Sequence, residues 1–375
     1  MRRMTADRDD VLIVGAGPAG CATALALDAA GCRVALLDRP STQSFRVGES
    51  ATPDVAGLLR RLGVDDRLER AGHAFYHGNL SLWGDDQPRV DHFLFRGTGH
   101  GWHLDRAAFD AQLRDAARAR GIAVRSCAGV EAIMPTSDGW AIRARGIGEV
   151  HARVLVDAGG RRSPLAAWFG VRRRSFDGMV ALAAHASHAR ELAGLSLVES
   201  FEDGWWYAVG LPDGQALVTL MTDRDVATAR RFRDPDVYRR AWQDTRLLAK
   251  HVPPGPAPAA IHVFAAHSGC IERSSGGGWI AVGDALMGLD PLTSSGIAGA
   301  LSDGLAAAPA VVDMLAGRPD GAIAYAARAN AVFGRYLAER VERYGTESRW
   351  SQRAFWARRG HGNQVAAAEL AEGCA

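Results

Sequence analysis

Gly15-Ala16-Gly17-Pro18-Ala19-Gly20 lies between an apolar run at residues 11–15, fit for a buried parallel strand, and a small, apolar, helix-forming run at 19–30 that Gly31 stops. The spacing is GxGxxG, and each glycine has its own task. Gly15 permits a tight turn, Gly17 lets the backbone approach a pyrophosphate, and Gly20 lets the helix pack against the sheet. Pro18 and Ala19 open that helix, whose unpaired N-terminal amides face the phosphates. Residues 33–37 read as a second buried strand ending at Asp38. That acid, eighteen residues past Gly20, is placed to accept hydrogen bonds from ribose hydroxyls. An acid there argues against a 2′-phosphate, which leaves FAD or NAD rather than NADP.

Outward from this unit, Pro53 opens a helix at 53–62 with Leu58, Leu59 and Leu62 on one side. Short alternating segments at 73–95 suggest strands of another sheet. Asp105 is the N-cap of a helix at 106–120, with Phe109, Leu113 and Ala117 on one face. Strands follow near 123–126, 130–134, 140–145 and 150–157. The stretch 170–270 is strand-rich (179–188, 195–201, 205–211, 216–222), interrupted by a helix at 235–248 and a Pro-rich connector at 253–258. A buried strand at 279–282 precedes a region that reads as helical to about 358. The α/β signals recur at three separated places with β-rich sequence between them. This predicts an α/β fold: a discontinuous Rossmann-like domain (8–70, 101–168, 271–318), an inserted β-rich substrate domain (71–100, 169–270) and C-terminal helices (319–375).

The 375 residues carry a formal net charge of +2, with 47% hydrophobic and 23% charged residues, an ordinary globular composition. A near-zero charge gives no reason to expect nucleic acid or an anionic membrane as partner. Residues 1–10 are charged and lack the apolar core of a signal peptide. The apolar stretch 297–317 contains Asp303, Pro309 and Asp313 and reads as a buried helix, not a membrane span, so a cytoplasmic protein is expected. Cys21, Cys32, Cys127, Cys270 and Cys374 are odd in number, widely spaced and free of CxxC or Cys/His patterns. They read as buried or incidental thiols, with no disulfide framework and no metal site. The chain has one lysine, Lys250.

Gly283-Asp284, followed by Asp290-Pro291-Leu292 and Ser294-Ser295-Gly296-Ile297, resembles the second FAD motif of the flavin hydroxylases and flavin halogenases. The resemblance implies that Asp284 holds a ribityl hydroxyl. It also implies that the helix after the motif points its positive end at the flavin N1/C2 edge. Asp157-Ala158-Gly159-Gly160-Arg161-Arg162-Ser163 resembles the mid-chain motif of that family, with Ala158 where many hydroxylases have Gly. Arg106, in Trp102-His103-Leu104-Asp105-Arg106, matches the arginine used near the FAD. Gly48-Glu49-Ser50, with Pro53 after it, resembles the GES segment of the halogenase branch. Arg39 and Arg46 join the expected cofactor set, and Glu49 also reads as a salt-bridge partner of Arg46. The implied fold is that of p-hydroxybenzoate hydroxylase (GR2 type), and the implied cofactor is FAD.

Phe75-Tyr76-His77-Gly78 resembles the stretch that holds the halogenase lysine, but Tyr76 stands in its place. Trp205-Trp206-Tyr207-Ala208-Val209-Gly210-Leu211-Pro212 keeps the aromatic start and the proline of the second halogenase signature without its spacing. Both departures count against halogenation. The resemblance then implies a monooxygenase that uses O2 through a flavin C4a-hydroperoxide on an electron-rich aromatic ring. Within the halogenase-like branch the sequence is most similar to flavoproteins that hydroxylate tryptophan, including a Trp residue of a peptide or protein, and a hydroxylase of a secondary-metabolite indole, pyrrole or phenol carries the same marks. The expected catalytic set is Glu49, Tyr76, His103 and Trp206, with His77, His92, Trp102, Trp205 and Tyr207 as further wall or relay candidates. Trp205 and Trp206, adjacent on a strand, face opposite ways, so one belongs to the core. With no second GxGxxG, electrons come from NAD(P)H visiting the flavin or from a separate flavin reductase. A flavin halogenase and a reductase or dehydrogenase of the geranylgeranyl-reductase type remain the alternatives. Changing Asp284 to Ala is expected to strip FAD from the purified protein, read as loss of the yellow absorbance; a fully yellow variant counts against the assignment.

Overall fold

The computed structural model describes residues 9–39, 47–64, 72–187, 192 and 194–360. Its first sheet has the strand Asp9–Val14 at its centre. Val34–Asp38 and then Ala123–Ser126 lie in parallel on one side, and Gly148–Asp157 and Trp279–Ala281 in parallel on the other. These are the near-continuous apolar runs of a sheet covered on both faces, and Val11, Leu12 and Ile13 are fully buried. Helix α1 (Pro18–Ala29) and helix α2 (Arg106–Ala119) pack on one another and on this sheet. Asp105 caps α2, its carboxylate accepting from the Ala108 amide at 3.0 Å. The chain leaves the central strand to one side and later returns on the other. The strand order therefore reverses there, which places a ligand crevice outside the carboxyl ends of Asp9–Val14 and Gly148–Asp157.

A second, seven-stranded sheet is built mainly from Met179–Ala186, Leu195–Phe201, Gly204–Gly210 and Ala216–Asp223. Strict alternation divides its faces. Leu182, Trp206 and Leu220 point to helix α3 (Pro235–Gln243) and pack on its Tyr238 and Trp242. Ala181, Tyr207, Thr219 and Met221 point the other way and line a cleft. A small ribbon of Ser50–Ala51, Gly101–His103 and Ala74–Tyr76 leads into this sheet through Gly78–Leu82. The helix expected over 235–248 ends at Gln243. The Glu199 carboxylate takes the amides of Arg246, Leu247 and Leu248 at 2.7–2.9 Å and starts a separate turn, Leu248–His251.

Two long helices, α4 (Gly296–Leu315) and α5 (Asp320–Gly345), complete the core. By length and composition α4 could cross a membrane, but here it packs on α1 and α5. Its Asp303 meets Arg328 at 2.7 Å. The helical stretch expected to run on to about 358 is broken after Leu315 and after Gly345, with a last turn at Ala354–Ala357. Cys21, Cys32 and Cys127 are free, but Cys270 is disulfide-bonded. This corrects the reading of all five as incidental thiols, because cysteine spacing without a CxxC or similar pattern does not say which thiols are paired. Cys374 lies outside the described residues.

The contact between α1 and α4 depends on missing side chains. A Cβ at Gly304 would sit 2.7 Å from the Ala19 carbonyl and 2.7 Å from the Ala22 Cβ. Ala normally gains about 1 kcal/mol over Gly inside a helix, whereas overpacking costs about 1–3 kcal/mol. Gly304→Ala should therefore lower the melting temperature, while Gly334→Ala in α5, whose Cβ meets nothing within 4 Å, should raise it. Thermal unfolding of the two variants checks the opposite signs.

Candidate functional site

The crevice between the two sheets encloses about 380 Å³, within the roughly 300–1,000 Å³ usual for small-molecule sites. Gly17, Pro18 and Ala19 enter it from the start of α1, and Ser295, Gly296 and Ile297 from the start of α4. Neither helix has a side chain capping its first turn, and neither carries an acid there. Two uncapped N-termini thus aim unpaired amides and partial positive charge into one cavity. A Cβ on Gly17 or Gly296 would meet nothing within 4 Å, so the space beside each is open. Gly15 (φ +114°) and Gly283 (φ +58°) stand behind the wall and shape its turns. A Cβ on Gly15 would lie 2.2 Å from the Ala158 carbonyl oxygen, and one on Gly20 would lie 2.0 Å from that of Gly15.

Gly48, Ser50, Arg106, Gly160, Asp284 and Pro291 also line the cavity. Asp284 is held by Arg161, Nε to Oδ2 at 3.2 Å. Arg161 also donates to the carbonyls of His267 and, at 2.8 Å, Leu289. Arg106 donates to the carbonyls of Val47 at 2.7 Å and Gly48 at 3.1 Å, and its buried Nε has no partner among the described residues. Asp38 ends its strand as expected but pairs with Arg114 at 3.7 Å. Neither it nor the exposed Arg39 lines the cavity. Arg46 lies outside the described residues. The two bare helix ends and the orphaned Arg106 nitrogen fit a large anionic cofactor such as FAD, which when bound supplies two-electron redox chemistry.

Glu49 faces the same cavity, 4% exposed, with one carboxylate oxygen accepting from the Gly48 amide at 3.0 Å and the other without a partner among the described residues. Burial pushes its carboxyl up to about 7, with Arg106 drawing it partly back. His103 is 1% exposed and is not a cavity-lining group. Burial lowers it to about 3, so it is neutral, and its Nε2 meets the Ser196 hydroxyl at 3.2 Å. Tyr76 stacks on His103 at 4.7 Å and donates to Asn79 at 2.6 Å, behind the cavity wall.

Trp206 corrects the sequence reading. It is buried on the α3 side of its sheet, its ring 5.0 Å from that of Tyr238, because the alternation that places Tyr207 in the cavity turns Trp206 away. Trp205 lies on the Tyr207 side but donates to Tyr344 at 2.9 Å and packs in a separate core cluster. His77 and His92 stack on each other at 5.8 Å away from the cavity, and Trp102 is core.

The sequence reading missed Ser196, Thr219 and Phe264, and it quoted Asp290 within the motif without giving it a role in the site. Asp290 is 1% exposed and lines the cavity. It accepts from the Leu292 amide at 2.9 Å and from Tyr344 at 2.8 Å, and Arg340 pairs with it at 3.3 Å. Its own amide donates to the Tyr336 hydroxyl at 2.8 Å. Burial raises its carboxyl and Arg340 opposes the rise. Nothing near residue 290 in the sequence signals partners fifty positions away. Ser294, in the same loop, holds a left-handed conformation (φ +50°) just before α4, a strained setting for a non-glycine residue.

Residues 8–339 match the FAD binding domain family. LodB of Marinomonas mediterranea, named an FAD-dependent oxidoreductase, is 30% identical over 360 residues, 93% of this chain and 96% of that one. Among solved structures, the myxobacterial chondrochloren halogenase CndH superimposes with a TM-score of 0.84 at 26% identity, covering 97% of this chain and 88% of its own. The peptidyl tryptophan dihydroxylase QhpG gives a TM-score of 0.79 at 28% identity, covering 94% and 78%.

Glu49 titrates in the fold above its ordinary 4.5. Its contribution to stability is therefore fully present below about pH 4.5 and is lost as pH rises through about 7. Gln in its place mimics the protonated form and does not titrate. The melting temperature of Glu49→Gln should gain on wild type as pH is raised from about 5 to about 8, measured by thermal unfolding across that range.

Proposed function

The chain belongs to the FAD binding domain family and is an FAD-dependent enzyme, and from that premise we propose that it hydroxylates an electron-rich aromatic ring. The leading substrate is tryptophan or an indole, free or as a Trp residue of a peptide. Dioxygen is the oxidant, and NAD(P)H or a separate flavin reductase is the source of electrons. One oxygen atom replaces hydrogen on a ring carbon, the other leaves as water, and the two electrons would be supplied by FAD when bound and reduced. The protein must hold the ring, keep water out and move protons. Ala181, Thr219, Met221 and Phe264 form a largely apolar wall suited to a planar ring. Glu49, poised near neutrality, is the cavity group suited to accept the ring proton.

The observation that carries hydroxylation over halogenation concerns amines. The one lysine, Lys250, is exposed, on the turn Leu248–His251 beside the α3-side core. Tyr76, where the halogenase-like sequence pattern would carry its lysine, spends its hydroxyl on Asn79. Halogenation is the second reading, favoured by the likeness to CndH, and the likeness to QhpG favours a peptide-borne tryptophan. The test incubates holoenzyme with a flavin reductant, oxygen, and indoles or Trp peptides, with and without bromide, and reads products by mass spectrometry. Gain of oxygen alone, unaffected by bromide, is the expected result; a brominated product overturns the hydroxylase reading.

A further inference from the structure

Three consecutive side-chain hydrogen bonds run away from the cavity. The Tyr207 hydroxyl meets the Ser50 hydroxyl at 2.7 Å, Ser50 meets Ser196 at 3.0 Å, and Ser196 meets His103 Nε2 at 3.2 Å. Tyr207 and Ser50 line the cavity; Ser196 and His103 lie behind it, each 1% exposed. The four residues come from four different strands in two different sheets. Most side-chain hydrogen bonds in proteins go to backbone or water, and only about 10–15% join side chains to one another. An unbroken run of three at the meeting of two sheets is therefore a built feature. Its chemistry is also particular. Every hydroxyl in it can donate and accept, and a neutral imidazole does both, so the run can reverse direction by passing a proton along its length. An amide link would fix the direction.

The surroundings supply a reason for such a run. At its cavity end stands Glu49, with one carboxylate oxygen that has no partner among the described residues and close enough to act electrostatically on Tyr207. At its far end the Tyr76 ring stacks on His103 at 4.7 Å. His77, half-buried at the surface, bears electrostatically on His103. The titratable and charged groups facing the run are thus Glu49, Tyr76, His77 and, across Glu49, Arg106.

We propose that Tyr207, Ser50, Ser196 and His103 form a proton relay between the cavity and the His77 side of the molecule. It rests on the reading that the cavity carries out aromatic substitution, in which a ring C–H bond becomes C–O and its hydrogen departs as a proton. Glu49 takes that proton from the ring carbon, and the relay returns Glu49 to its starting state for the next turnover. Ser196 and His103 act through their neighbours as positioning residues and touch no reacting atom.

Ser196→Ala breaks the run at a point outside the cavity. The relay predicts unchanged FAD content and melting temperature and an unchanged KM for the aromatic substrate. It predicts a kcat reduced at least about tenfold with an enlarged solvent deuterium isotope effect, and recovery in Ser196→Thr, which restores a hydroxyl. Without turnover, the flavin-band relaxation of oxidised holoenzyme after a pH jump should be slower in Ser196→Ala than in wild type. A Ser196→Ala enzyme that keeps wild-type kcat and relaxation overturns the relay. So does a loss that Ser196→Thr fails to recover, or one accompanied by loss of FAD. The two readings fail separately: hydroxylation fails when wild type yields no oxygenated product, and the relay fails when both enzymes yield product equally fast.

Discussion

The cleft depends first on how closely helix α1 can approach its neighbours. Glycine permits that approach on every side. A side chain at Gly15 or Gly20 would collide with carbonyl oxygens at 2.2 and 2.0 Å. One at Gly283 would strike the Ala19 Cβ at 2.6 Å, and one at Gly304 the Ala19 carbonyl at 2.7 Å. These contacts come from the turn after the first strand, the turn after Trp279–Ala281, and the body of α4. Only with all of them made do the bare ends of α1 and α4 open onto one cavity, so that two weak sources of positive potential add in one enclosed space.

The opposite wall is fixed by polar wiring. Arg340, on α5, pairs with Asp290 and also, at 2.8 Å, with Asp177, which accepts from the Met179 and Ser268 amides. Arg359 carries the network on to Asp223 at 2.7 Å. These carboxylates and guanidiniums are almost fully buried. Stripping one partner from such a set costs about 3–5 kcal/mol, because a charge is left behind in a poor solvent for it. The arrangement is worth less as stability than as registry: it sets where the second sheet and the Asp290 loop stand relative to α5.

The parts that were legible in the sequence are those whose cause is local. A glycine needed for a turn, a cap one turn before its helix and an apolar run for a buried strand all leave their mark within a few residues. So α1, α2 and the core of both sheets could be read directly. Alternation indicated that Trp205 and Trp206 face opposite ways, but not that α3 would cover the Trp206 face and leave Tyr207 to the cavity. That choice is made by residues 30 positions downstream. Ser196 carries no local signal, since a serine in a strand is ordinary until His103 and Ser50 arrive from other strands. The same holds for Glu199, whose carboxylate starts a helical turn nearly fifty residues on.

The grip of α5 on Asp290 also bears on the order in which the protein comes into being. The Gly15–Gly20 turn emerges early in synthesis, ahead of the Ala158 carbonyl that it packs against. The loop at the other end of the cavity is held by Tyr336, Arg340 and Tyr344, which leave the ribosome some fifty residues after it. The cavity wall that Asp290 belongs to is therefore complete only when the last long helix has emerged.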